Sequence, residues 1–276
     1  MRTRSDRLRP ADGLLPLTSP LRRLARPTAT AFAGGRAILM ELAHPSIAQA
    51  VADFDHFRDD PGRRARLTAK AFRDVIHGSE EEAADVSRGL AAVHRRVRGP
   101  GYAATDHDLV LWVHATFVDS LLCIGQRLHG RLTVAEQHDF YRDSVIVGEV
   151  FGCPPSVQPA TFEEFSRYVD GVVSSLTVSD VGRDLARAVF WPAVPASRKP
   201  LIAAYRLACF GTTPAALRDQ FEYRLNRLDT RAFAAGTVLA PRFAPWSDRA
   251  FCAVADGNGR GVAAALALAG IRSARV

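Results

Sequence analysis

The sequence predicts an all-α protein, a single helical domain of about ten helices, and three observations predict it. Helix start and stop signals recur along most of the 276 residues. No segment alternates apolar and polar residues as a half-buried strand does, and no hairpin dipeptide lies between alternating runs. Residues 106–130, DHDLVLWVHATFVDSLLCIGQRLHG, form one long run with Asp106 as its N-cap and Gly130 after a last turn carrying Arg127 and His129. Its apolar residues go nearly all round, and a helix of that kind lies buried in the middle of its domain.

The remaining elements follow in order. Residues 1–26 are basic and punctuated by proline, with Arg2, Arg4, Arg7 and Arg9 leading, and read as an arm outside the domain that spans 27–276. From Pro27 the pattern is helical, with Gly34 and Gly35 suited to close packing or a bend. His44-Pro45 interrupts it, because proline disfavours helix at the residue before it, and a new helix can restart with Pro45 near its first turn. Asp53 to Asp60, DFDHFRDD, reads as a loop, and Asp60 with Pro61 opens a helix that stops at Gly78. Ser79 with Glu82, Thr133 with Glu136, and Thr161 with Glu164 are capping-box pairs that open three more. Pro154-Pro155 blocks the second of these. A short helix over 180–190 closes at Trp191-Pro192, and another covers 201–210. Pro214 begins an amphipathic segment with Leu217, Phe221, Leu225 and Leu228 on one face, and 247–268 is the last helix.

Composition excludes several classes. Hydrophobic residues are 47% and charged residues 24%, ordinary for a globular chain. The net charge is +7, and Lys70 and Lys199 are the only lysines, so the positive charge is almost wholly arginine. Beyond the N-terminal arm these arginines are scattered, whereas a phosphate-tracking face clusters them on one element, so no nucleic-acid partner is expected. Cys123, Cys153, Cys209 and Cys252 lie far apart, with neither a CxxC pair nor zinc spacing. The apolar segment near Leu14 is too short for a secretory signal, and no uninterrupted apolar run reaches the roughly 20 residues of a membrane span. The expected location is the cytoplasm. The sequence has no GxSxG, HExxH or P-loop, and the glycine-rich stretch Asp256-Gly-Asn-Gly-Arg-Gly261 follows no strand.

The candidate site residues come from position. His114 sits in the apolar interior of the central helix with Val110, Leu111, Phe117 and Val118 as helical neighbours, and no carboxylate lies within one turn of it. A buried imidazole needs a backbone carbonyl, a carboxylate or a metal. A histidine of this kind in an all-helical fold is how haem pockets are built, and it is also how a core histidine looks. Arg64 and Thr68 share a helical face that Phe72 continues, so together they could hold an anion such as a propionate; a solvated charged face fits the same spacing. His44, before Pro45, could project into a cavity or serve as a cap. His56, beside Asp55, reads as a loop histidine, and His77, His94, His107, His129 and His138 lie at helix ends or on polar faces.

The runs GGRAILMELAHPSIAQAV, DFDHFRDDPGRRARLTAKAF, GYAATDHDLVLWVHATFVDS and YRDSVIVGEVFGCP, in that order, resemble the DUF2236 family, which includes MpaB-type oxygenases and the rubber oxygenase catalytic domain. The resemblance implies a globin-like helical core that binds haem b, an iron cofactor, with His114 in WVHA as the proximal ligand. It implies that Arg64 and Thr68 match the family's Arg-x-x-Lys-Thr pattern at the haem site. Leu67 stands where that pattern has lysine and cannot ligate iron, which leaves the distal side to dioxygen, water or a side chain such as His44. The function implied is a haem-dependent oxygenase acting on an apolar small molecule with dioxygen as co-substrate. The rival from another class is a non-catalytic haem or lipophilic-ligand-binding protein. A homodimer is left open.

Overall fold

The computed structural model describes residues 13–54 and 61–255, the side chains of 61–65 and 250–255 excepted. The all-α expectation holds. Among the described residues there are twelve α-helices and one minimal two-stranded ribbon. They are α1 (Pro20–Leu24), α2 (Pro27–Leu42), α3 (Pro45–Phe54), α4 (Pro61–His77), α5 (Glu80–His94), α6 (His107–His129), α7 (Val134–Val150), α8 (Phe162–Ser175), α9 (Asp180–Phe190), α10 (Lys199–Thr212), α11 (Ala215–Gln220) and α12 (Arg227–Ala255). The ribbon pairs β1 (Arg98–Gly99) antiparallel with β2 (Tyr102–Ala103), turning at Gly101 with φ of 81°. The sequence carries no strand signal there.

Local chemistry sets the helix starts. Ser79 and Glu82 close a reciprocal capping box on α5, and Thr133 and Glu136 do the same on α7. Asp106 accepts from the Asp108 amide at the start of α6. Thr161 accepts from the Glu164 amide, but the Glu164 carboxylate turns to the Ala160 amide, one residue earlier than a capping box requires.

The central helix α6 is enclosed as its composition predicts, with Leu111, Trp112, Phe117, Val118, Leu121 and Ile124 all buried. By length and apolarity alone it could cross a membrane, but 61% of its most apolar window is buried inside the fold, which makes it a core helix. It shares its most extensive interface with α2. Trp112 donates from its indole nitrogen to the Met40 carbonyl, one of the last carbonyls of α2, which have no partner within their helix. Each large apolar side chain buried in this interface contributes roughly 1.5–3 kcal/mol. Gly35 lies where α2 meets α10: a Cβ there would run into the Tyr205 hydroxyl and the Cys209 thiol, so Gly35 serves close packing, Gly34 has open space beside it, and α2 does not break.

A buried charge ties three helices. Arg36 on α2 is almost wholly enclosed, and its guanidinium donates to the Thr212 carbonyl (2.8 Å), to the Ser120 hydroxyl (2.8 Å) and to the Asp119 carboxylate (2.6 Å). The first partner is the end of α10 and the other two are on α6.

Three expectations change. Residues from 13 onward are not an arm: Leu15, Leu21 and Leu24 are in the core, and Ser19 caps α1 while donating to the buried Asp143 of α7. Residues 1–12 lie outside the described region. The amphipathic segment from Pro214 is not one helix; α11 ends at Gln220, and Glu222 takes the left-handed conformation with φ of 60° before α12 begins. Nor does a separate helix start at 247: α12 runs through Pro241 and Pro245, and the expected continuation past 255 is outside the described residues. Proline is tolerated there because α12 is packed on one side only, so the carbonyls it leaves without partners can reach water.

Replacing Arg36 by alanine leaves the Asp119 carboxylate and the Thr212 carbonyl without their cation. We expect a loss of about 3–5 kcal/mol in urea unfolding, and no recovery with Arg36→Lys, whose single ammonium cannot reproduce the fork.

Candidate functional site

The buried imidazole is the chemically unusual group of the core. His114 is enclosed between α6 and α7. Its Nε2 is buried with no hydrogen-bond partner, and the Ser144 backbone lies near the ring. Burial pushes its pKa down to about 4, against the smaller opposing effect of the Ser144 bond, so the ring is neutral near pH 7. A buried, neutral imidazole with an unpartnered nitrogen has the donor chemistry of a metal ligand.

The space around Nε2 does not match that chemistry. A Cβ built on Gly148 of α7 would lie 2.7 Å from Nε2, and the Gln158 amide crowds the same point at 2.8 and 3.0 Å. Gln158 is fixed there, since its NH2 group donates to the carbonyls of Cys153 (2.8 Å) and Val145 (3.1 Å). Both of its donors are spent on these carbonyls. The backbone of α7 and this amide fill the volume that a flat macrocycle on Nε2 requires. Haem does not fit at His114 in this packing, and among the described residues no cluster of three or more His, Cys, Asp or Glu forms a metal site. The neighbouring Cys153 does not supply a thiolate, because burial raises its pKa to about 11.

Thr68 and Leu67, expected at the site, are not brought to this imidazole. Residues 66–70 of α4 are exposed on every side, so Thr68 and Leu67 stand off the body; Leu67 is 56% exposed. The Arg64 side chain lies outside the described residues. The inward turn of α4 comes later, where Phe72 stacks on Phe117 of α6 with centroids 3.4 Å apart and touches Phe151 at 4.6 Å. His44 follows the end of α2, half-buried, with Nδ1 unpartnered. Burial lowers its pKa and Asp106 opposes that. His77 bonds the Ala25 carbonyl at 2.9 Å, and His138 faces Glu163 on the surface. Asp55, His56, Asp60 and the glycine-rich stretch from 256 are outside the described residues.

A cleft of about 400 Å³ was not singled out in the sequence. It is lined by Arg183, Arg187, Trp191, Phe210, Phe221 and Glu222. Its walls come from α9, α10 and the turn after α11, and Arg206 lies over the Trp191 ring at 4.6 Å. The capping residues and aromatics around it are ordinary in sequence; only the chain reversal at Glu222 brings them together.

The fold defines a class: an all-helical domain wrapped around one apolar central helix, with a neutral, half-satisfied imidazole in its core. The chain belongs to the family described as ER-bound oxygenase mpaB/B'/rubber oxygenase, catalytic domain, whose sequence model matches residues 21–242. That span takes in every helix from α1 to most of α12. Neither the curated proteins nor the solved structures hold a match.

The depressed pKa of His114 makes a signed prediction. The unfolded chain takes up this proton near pH 6.5 and the folded chain only near pH 4, so stability is full above 6.5 and falls as the pH drops toward 4. His114→Gln should flatten that part of the profile by up to roughly 3 kcal/mol, read as the difference between parent and variant unfolding free energies at pH 7 and pH 4.5.

Proposed function

We propose that this protein is a haem-dependent oxygenase that oxidises an apolar small molecule with dioxygen. The observation that carries the oxygenase reading is the family match across residues 21–242. Haem b and the apolar substrate rest on the resemblance of the four sequence runs to the same family. When bound, haem would supply the dioxygen chemistry that side chains do not. No step is assigned to His114, because Nε2 faces Gly148 and Gln158. For it to hold the iron, the Gln158 amide would have to leave its two carbonyls and α7 would have to move at Gly148.

The rival reading is a carrier of lipophilic ligands. The open cleft over Phe210, Phe221 and Trp191 favours it, since an apolar floor with an arginine rim suits an amphipathic molecule.

The test is a visible spectrum of protein produced with added haem, followed by dioxygen uptake with a polyisoprenoid or another unsaturated hydrocarbon. A Soret band and substrate-dependent uptake are expected. A folded protein with no Soret band would remove haem from the reading, and a Soret band without uptake on any apolar substrate would favour the carrier. In His114→Gln the Soret band should persist. Its loss in a variant whose helical circular dichroism is unchanged would make His114 the ligand after all.

A further inference from the structure

The last described helix has two faces of opposite character. On its inner side Ala244 and Asp248 are buried, and Phe233 packs against Gly211 of α10. Asp248 accepts from the Thr28 amide at 3.0 Å and pairs with Arg26 at 2.8 Å, while Ser247 bonds Thr28 at 2.8 Å. This carboxylate caps the start of α2, which has no side-chain cap of its own, and so fixes which way α12 faces.

Its outer side is apolar. At 3.6 residues per turn Leu228, Ala232, Ala235, Leu239, Phe243 and Trp246 fall within about 40° of one line. All six are exposed, Leu228 at 74% and Phe243 at 60%. Arg231, Arg242 and Arg249 lie together about 60–80° to one side of that line, also exposed, with Val238 beside them. Among the described residues of α12 no carboxylate answers them on this face: Asp229 points toward the packed side and bonds the Asn226 amide, and Asp248 is buried. A self-complementary contact with a second copy would bring guanidinium groups to a surface without anions.

We propose that the outer face of α12 docks this protein on an anionic lipid surface. The stripe of leucine, phenylalanine and tryptophan enters the headgroup boundary, and the three arginines along its border meet lipid phosphates and carboxylates. This is the arrangement of a helix that lies in the plane of a membrane interface rather than crossing it, and the net charge of +7 acts in the same direction. It gives a protein acting on apolar molecules direct access to the phase that dissolves them, but its geometric basis is independent of the oxygenase reading.

The full-length chain is mixed with vesicles of phosphatidylcholine alone and of phosphatidylcholine with 30% phosphatidylserine, and binding is read by co-sedimentation. Expected is preferential binding to the anionic vesicles that weakens with salt. Replacing Arg231, Arg242 and Arg249 together by glutamine should reduce it on the order of 100-fold. Phe243→Ser with Trp246→Ser should abolish it, with helical circular dichroism as in the parent, because Phe243 is 60% and Trp246 40% exposed and neither lies in the core. Brominated lipid should quench Trp246 and fail to do so in Trp246→Phe. Equal binding to neutral vesicles overturns the role of the arginines. A chain that ignores both vesicle types overturns the proposal, and so does a stable dimer that the Phe243/Trp246 double variant dissolves.

Discussion

The fold turns on a cation placed where cations are costly. Arg36 sits inside the bundle, and it is tolerated because each of its contacts is charge-assisted or closes an otherwise open carbonyl. Its partners come from two helices, so the guanidinium fixes how far α6 and α10 are shifted along α2. With that register set, Trp112 meets the Met40 carbonyl, Gly35 meets Tyr205 and Cys209, and the imidazole of α6 is carried to the α7 side of the core. A hydrophobic pairing of α2 with α6 could slide by a turn at little cost; a guanidinium that must find Ser120, Asp119 and Thr212 together cannot.

What was legible in the sequence was local. Capping pairs such as Ser79–Glu82 and Thr133–Glu136 announce helix starts because the bonds that form them span three residues. The burial of α6 was legible because apolar residues on every side admit no other place for it. The reach of α12 was not: Pro241 and Pro245 argue for a break, and the helix survives them only because half of its circumference faces water. Leu15, Leu21 and Leu24 gave no periodic signal, so their place in the core depends on Ser19 meeting Asp143 across the fold. Arg36 was one arginine among many.

The candidate site was legible in its chemistry and not in its surroundings. His114 was identifiable as an awkward buried imidazole from its neighbours in one helix. Whether it faces a cavity, a carbonyl or another helix depends on Ser144, Gly148 and Gln158, none of which carries a signal toward position 114. Arg64 and Thr68 show the same limit from the other side: spacing shows that they share a face, but residues 66–70 are exposed, so Thr68 does not point into the core. His114 and Thr68 were each visible, and their separation is a property of tertiary packing alone.

The glycine at position 148 has a consequence for how this chain can change. His114, Gly148 and Gln158 occupy one small volume in which the missing methyl of the glycine is the room the imidazole uses. A methyl at 148 would require a smaller group at 114 or a retracted amide at 158, and a smaller group at 114 would leave the Ser144 carbonyl and the cavity beside it to be filled from 148. These three positions can drift only in concert, so related chains should sort into those that keep all three residues and those that have replaced them as a set.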